Sequence, residues 1–155
     1  MNMLARLTMV AAIAGALMAP VAYAAEYEVH MLAKDANGRF AQYEPAFLKV
    51  QPGDTVTFIS SDALDNTESI PELIPQSAEN WTGDLGKNVS VSFETEGLYV
   101  YKCVHHVGRG MIGVVQVGDG VQVLDAAAVS KLPAQAKARL DVLLTEAGPS
   151  VANAN

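Results

Sequence analysis

Between Glu26 and Val117 the chain is a succession of short runs with the spacing of β-strands, each closed by a turn signal within a few residues. Glu26–Leu32 alternates, with Tyr27, Val29 and Met31 on one face and Glu28 and His30 on the other; Asp35-Ala36-Asn37-Gly38 then breaks it. Phe47–Val50 ends at Gln51-Pro52-Gly53-Asp54, and β-branched and aromatic residues fill Thr55–Ser60. Residues 61–76 are polar and irregular, with Pro71 and Pro75 arguing against a central strand. Val89–Phe93, Leu98–Lys102 and Gly113–Val117 complete the set. Several short strands joined by Gly and Pro turns predict an antiparallel sandwich or small barrel.

Composition changes at Gly118. Alanine and leucine become common, a short helix is expected around Leu124–Lys131, and Ala136, Leu140, Leu143 and Leu144 recur at helical spacing after Pro133. Gly148-Pro149 supplies a stop, and residues 149–155 should fray.

At the other end, Arg6 precedes an apolar stretch over residues 7–18, and Ala22-Tyr23-Ala24 is a small-x-small cleavage signal. Residues 1–24 therefore read as a secretory signal peptide, too short in its apolar core for the roughly 20 residues of a membrane span. Cleavage leaves one domain, residues 25–148, with the tail beyond it. Ten Lys and Arg, less Arg6, face 17 Asp and Glu, a net charge of −8 that excludes nucleic-acid binding without a basic patch, and none is visible. The single cysteine cannot form an intramolecular disulfide, so in an exported protein it must be buried, paired between chains, or on a metal.

That cysteine lies in Lys102–Gly113, KCVHHVGRGMIG, with two of the three histidines and a methionine. Cys103, His106 and Met111 form a soft-ligand cluster on a loop between two strands. Thiolate and thioether sulfur favour copper(I), imidazole suits copper or zinc, and Cys, His and a weakly held Met make most of a blue-copper site. One more strong ligand is required. A Cys-His nucleophilic enzyme would need a base aimed at the thiol, and nothing else in the sequence supplies the rest of such machinery.

YKCVHHVGRGMIGVVQVGD, the opening AEYEVHML, the run FLKVQPGDTVTFISSD and the two C-terminal helices together resemble the pseudoazurins, periplasmic bacterial cupredoxins, over essentially all of the mature chain. The resemblance implies an all-β Greek-key sandwich of about eight strands with two C-terminal α-helices. It also implies one type 1 copper, and one-electron exchange, as a monomer, with partners such as a copper nitrite reductase or a cytochrome. Cys103, His106 and Met111 match the family's downstream copper ligands. The upstream histidine has no match: the family's Asp-x-x-His-Asn is Asp62-Ala63-Leu64-Asp65-Asn66 here, with Asp65 at the ligand position and Asn66 kept. His105 replaces a usual Pro, Arg109 a frequent Met, and His30 matches a histidine that does not bind metal.

An Asp Oδ lies as many bonds from the backbone as His Nδ1, so Asp65 can reach the same point as the missing imidazole. The expected site is Cys103, His106, Met111 and Asp65 around one copper; the competing arrangement swings His105 in as a second imidazole. Lys102 and Arg109 put positive charge beside the loop. Two functions are open: a periplasmic electron carrier that is not an enzyme, since four ligands leave no open position for substrate, or a diverged cupredoxin that binds copper or another metal without electron traffic. The two sequons Asn80-Trp81-Thr82 and Asn88-Val89-Ser90 mean little in a bacterial protein.

Overall fold

The computed structural model describes residues 23–120 and 122–147 of the 155. The expected leader, apart from Tyr23 and Ala24, and the expected frayed tail lie outside the described residues. The strands are β1 (Glu26–Lys34), β2 (Phe40–Glu44), β3 (Phe47–Val50), β4 (Asp54–Ser60), β5 (Glu68–Ser69), β6 (Val89–Phe93), β7 (Gly97–Lys102) and β8 (Ile112–Val117). The helices α1 (Ala126–Ser130) and α2 (Ala134–Glu146) follow.

Two four-stranded sheets face each other, ordered β2-β1-β4-β6 and β3-β8-β7-β5. Neither is purely antiparallel, contrary to the antiparallel sandwich that the short strands and Gly/Pro turns predict: β1 pairs parallel with β4, and β3 with β8. The chain crosses to the second sheet for β3 and returns for β4, so β4 re-enters beside β1 in the same direction. That is Greek-key connectivity, which period-2 patterning does not encode.

The hairpin β1–β2 was not visible as a strand pair. Its turn is built by Asp35, whose Oδ1 accepts from the amides of Asn37 (2.9 Å) and Arg39 (2.8 Å), with Gly38 at φ 79°. Phe40–Glu44 hid because Gln42 is buried alongside Ala41 and Tyr43, which blurs the alternation. The Asn-Gly pair was the available signal.

Inward residues of both sheets make one core. Phe58 of β4 and Tyr101 of β7 are fully buried, with ring centroids 5.0 Å apart at 69°, and Tyr43 meets Tyr101 at 4.7 Å. Such edge-to-face pairs add about 0.5–1.5 kcal/mol beyond the apolar area they bury. Gly113 is needed beside them, since a Cβ there would sit 2.3 Å from Tyr101 Cζ. The Tyr101 hydroxyl finds no hydrogen-bond partner in this core, and burial pushes its ionisation far upward, so it stays neutral.

The helices follow the sequence closely. Asp125 caps α1 by accepting from the Ala128 amide at 2.9 Å. Pro133 stands at the N-cap of α2, one residue ahead of the first turn, and Ala136, Leu140, Leu143 and Leu144 are its buried face. That face lies on β8 and on the one-turn 3-10 helix Val107–Arg109 of the ligand loop, so α2 holds the loop from behind. No helix among the described residues is long and apolar enough to cross a membrane.

Candidate metal centre

Two loops at one end of the sandwich meet to form the site. The first connects β7 to β8 and is wound tightly on itself. Amides of His106 and Val107 donate to the Cys103 carbonyl (3.3 and 2.9 Å), Met111 donates to the His106 carbonyl (3.2 Å), and Cys103 donates to the Met111 carbonyl (3.2 Å). Gly110 closes the turn at φ 86°, a conformation that costs glycine little. Cys103, His106 and Met111 are thereby held side by side on a short frame, with Cys103 and Met111 buried.

The second loop runs from Asp62 to Asn66. Asp62 Oδ1 accepts from the Leu64 amide (2.9 Å), an Asx turn, and Gly86 donates to the Asp65 carbonyl (2.8 Å). Asn66 then ties the loops together: its Oδ1 accepts from the Val104 amide (2.9 Å), its Nδ2 donates to the Gly83 carbonyl (3.0 Å), and its own carbonyl accepts from the Tyr43 hydroxyl (2.7 Å). Asn66 thus orders the two loops relative to each other. Tyr43, Gly83 and Gly86 carry no sequence signal for this task, because the residues they hold lie 17–23 positions away.

The result brings one donor atom each from Asp65, Cys103 and His106 within 4.8 Å of one another. His106 Nδ1 lies 3.0 Å from Asp65 Oδ1 and 3.5 Å from Cys103 Sγ. Both contacts use the same ring nitrogen. In a Cys-His-Asp relay the thiol and the carboxylate would engage opposite nitrogens, so this geometry does not make a nucleophile. One nitrogen can also serve only one hydrogen bond at a time. Three Lewis bases converging on one point suit a cation shared among them.

Asp65 points to the same conclusion. It is wholly buried, and its Oδ2 has no hydrogen-bond partner. An unsatisfied buried polar atom costs about 1–3 kcal/mol and an unpaired charge more. Burial accordingly raises the Asp65 carboxyl above its ordinary range, opposed by the neighbouring His106 and reinforced by Asp62. The donor set therefore fits a soft-to-borderline metal ion. His105 does not join it: its side chain is exposed, outside the convergent group. His30 is distant on the outer face of β1, 3.6 Å from Glu28.

A stability prediction arises from the raised Asp65. A carboxyl whose folded pKa exceeds the unfolded value of about 3.9 contributes stability below that value and loses it as pH climbs through the folded pKa. Metal-free Asp65→Asn is therefore expected to melt higher than the metal-free parent at about pH 7, with the gap closing below about pH 4. Thermal melts of both across that range check it; a gap independent of pH contradicts it.

Only His106 of the three reaches solvent, its side chain 16% exposed. Nearby, Lys102 is paired with Glu68 at 3.2 Å, while Arg109 and Lys131 are exposed.

Comparison with known proteins agrees with this architecture. Residues 29–118 match the family of copper binding proteins, plastocyanin/azurin family. A pseudoazurin of Paracoccus pantotrophus is 41% identical over 138 residues, 88% of this chain and 94% of its own length. The pseudoazurin structure from Hyphomicrobium denitrificans superposes with a TM-score of 0.70 at 37% identity, covering 78% of this chain and 97% of that one. That from Methylobacterium extorquens AM1 gives 0.69 at 32% identity, with 78% and 98% covered. The chain belongs to the plastocyanin/azurin family of copper binding proteins, and within it to the pseudoazurins: a cupredoxin that carries one copper ion for electron transfer.

Proposed function

We propose that this cupredoxin is a periplasmic single-electron carrier in which Cys103, His106, Met111 and Asp65 hold the copper. The observation that supports it is the convergence of a thiol, one imidazole nitrogen and an otherwise unpartnered carboxylate within 4.8 Å, beside a buried methionine. Copper supplies the chemistry, accepting and returning one electron as it alternates between its +1 and +2 states.

The chain's own residues set the conditions. Cys103 offers the dominant soft donor, which a metal keeps deprotonated without help from a base. Met111 offers a weak thioether, and His106, the exposed member, offers the route to solvent and partner. Asn66, Tyr43 and α2 hold the loops, so that little has to move when the charge changes. The set leaves no open position for a substrate, as befits a carrier and not an enzyme. Removal of residues 1–24 on export places the mature protein in the periplasm. Its partners there are soluble redox proteins such as a copper nitrite reductase or a cytochrome, by likeness to the pseudoazurins. The exposed Arg109 and Lys131 beside the loop would steer acidic partners, chiefly through the association rate.

Asp65 gives a specific reason to keep a second reading: a diverged module that binds copper or zinc without electron traffic. Voltammetry of the copper-loaded protein separates the two. A carrier gives a reversible one-electron wave, and association with an acidic redox protein slows as salt rises. A protein with no reversible wave is a binding module.

A further inference from the structure

In the stretch of chain between the two ligand loops, the sandwich is open along one side. The strand β6 pairs with β4 only, and among the described residues no strand covers its other edge. Across from it, Trp81 and Thr82 extend the second sheet beyond β5, with Ser69 donating to the Trp81 carbonyl at 3.1 Å and Thr82 bridged to Glu68. Between these two borders runs a groove of about 510 Å³. Its lining includes Val89, Ser90, Val91 and Ser92 in succession. Side chains of consecutive strand residues point to opposite faces, so a cavity touching all four follows the edge of β6, where backbone donors and acceptors are unpaired.

The groove is preformed. Trp81 is half-buried at its wall, stacked on Phe58 with centroids 6.0 Å apart, and its Nε1–H donates to Thr67 Oγ1 at 3.3 Å. Tyr99 is buried beside it, its hydroxyl donating to the Thr95 carbonyl at 2.7 Å. Thr57 and Ser90, and Thr55 and Ser92, are linked by hydroxyl contacts of 2.8 and 3.0 Å that hold β6 to β4. Its volume lies within the roughly 300–1,000 Å³ of ligand clefts. The only charged residues along it are Glu79 and Glu94, both exposed.

We infer that this groove is a strand-addition site for an extended basic segment of a partner protein, which pairs its backbone with β6 and its cationic side chains with Glu79 and Glu94. Strand addition draws affinity from main-chain hydrogen bonds and selectivity from alternate side chains. A second copy of this chain is the wrong occupant, because β6-to-β6 pairing would bring the acidic borders of two grooves together. The site is separate from the ligand loops, so a partner seated here leaves His106 exposed.

The test uses the reduced, copper-loaded protein and a capped hexapeptide of alternating Lys and Val, read by the emission of Trp81, the only tryptophan. The expected result is a saturable shift of emission with slowed amide exchange in β6. E79Q/E94Q should weaken binding about tenfold, as two exposed ion pairs together would. The same peptide N-methylated at alternate residues should not bind. Absence of a saturable shift, equal binding of the N-methylated peptide or of its Glu-Val counterpart, or a concentration-dependent dimer in sedimentation that the peptide displaces, would each overturn the assignment.

Discussion

Asp65→His is expected to raise the reduction potential of the copper-loaded protein and to strengthen its thiolate-to-copper absorption. The carboxylate is a harder donor than imidazole and carries charge, so it stabilises copper(II) over copper(I) and weakens the thiolate's share of the bonding. For a one-electron couple each tenfold change in the relative affinity for the two states moves the potential by 59 mV, so a ten- to hundredfold change gives roughly 60–120 mV. The replacement fits sterically because both donor atoms lie the same number of bonds from the backbone, and the Asp62–Asn66 loop is held by main-chain and Asn66 contacts that do not involve the 65 side chain. Potentiometric titration with visible spectroscopy reads both quantities. Identical values for parent and variant would remove Asp65 from the ligand set. His105→Ala, by contrast, should change neither, since His105 is exposed and outside the convergent group.

Cys103→Ser should abolish the visible colour of the copper(II) form altogether. The charge-transfer band needs a sulfur donor, and a serine hydroxyl is both harder and far less acidic than a thiol. Cys103 is wholly buried and its Sγ lies 3.7 Å from the Leu64 carbonyl, so a smaller hydroxyl can occupy its place with modest strain. Far-UV circular dichroism should show an unchanged sandwich. Colour that persists in the variant would mean that the sulfur is not a ligand.

How far this site was legible in the sequence differs residue by residue. Cys103, His106 and Met111 fall within nine positions, and a loop this short between two strands leaves them few places to go. The carboxylate partner lies 38 positions upstream of Cys103. Nothing in its local pattern marks Asp65 as buried, and only the likeness of Asp62–Asn66 to a pseudoazurin loop pointed there. The fold was similarly divided. Alternation revealed β1 and β6, β-branched and aromatic composition revealed β4, and apolar runs flanking the ligand loop revealed β7 and β8, which are buried on both faces; helical spacing revealed the inward face of α2. The strand β2, with Gln42 buried, and the two-residue β5 have none of these signatures. The parallel pairings of β1 with β4 and β3 with β8 come from chain crossing, which no local period records.

The edge of β6 illustrates the reverse case. VSVSF is the cleanest alternation in the chain, yet its half-exposed valines are explained only by the missing neighbour along the strand. A regular pattern predicts that a strand exists. It does not say whether both edges are paired.

The central claim is that the buried convergence of Cys103, His106 and Asp65, with Met111 beside it, is a thiolate-copper electron-transfer site. The visible absorption of the purified parent protein titrated with copper(II) tests this most directly. An intense band that saturates at one copper per chain, and that bleaches on reduction and returns on oxidation, is the expected result; a protein that binds the ion and stays colourless would contradict the account.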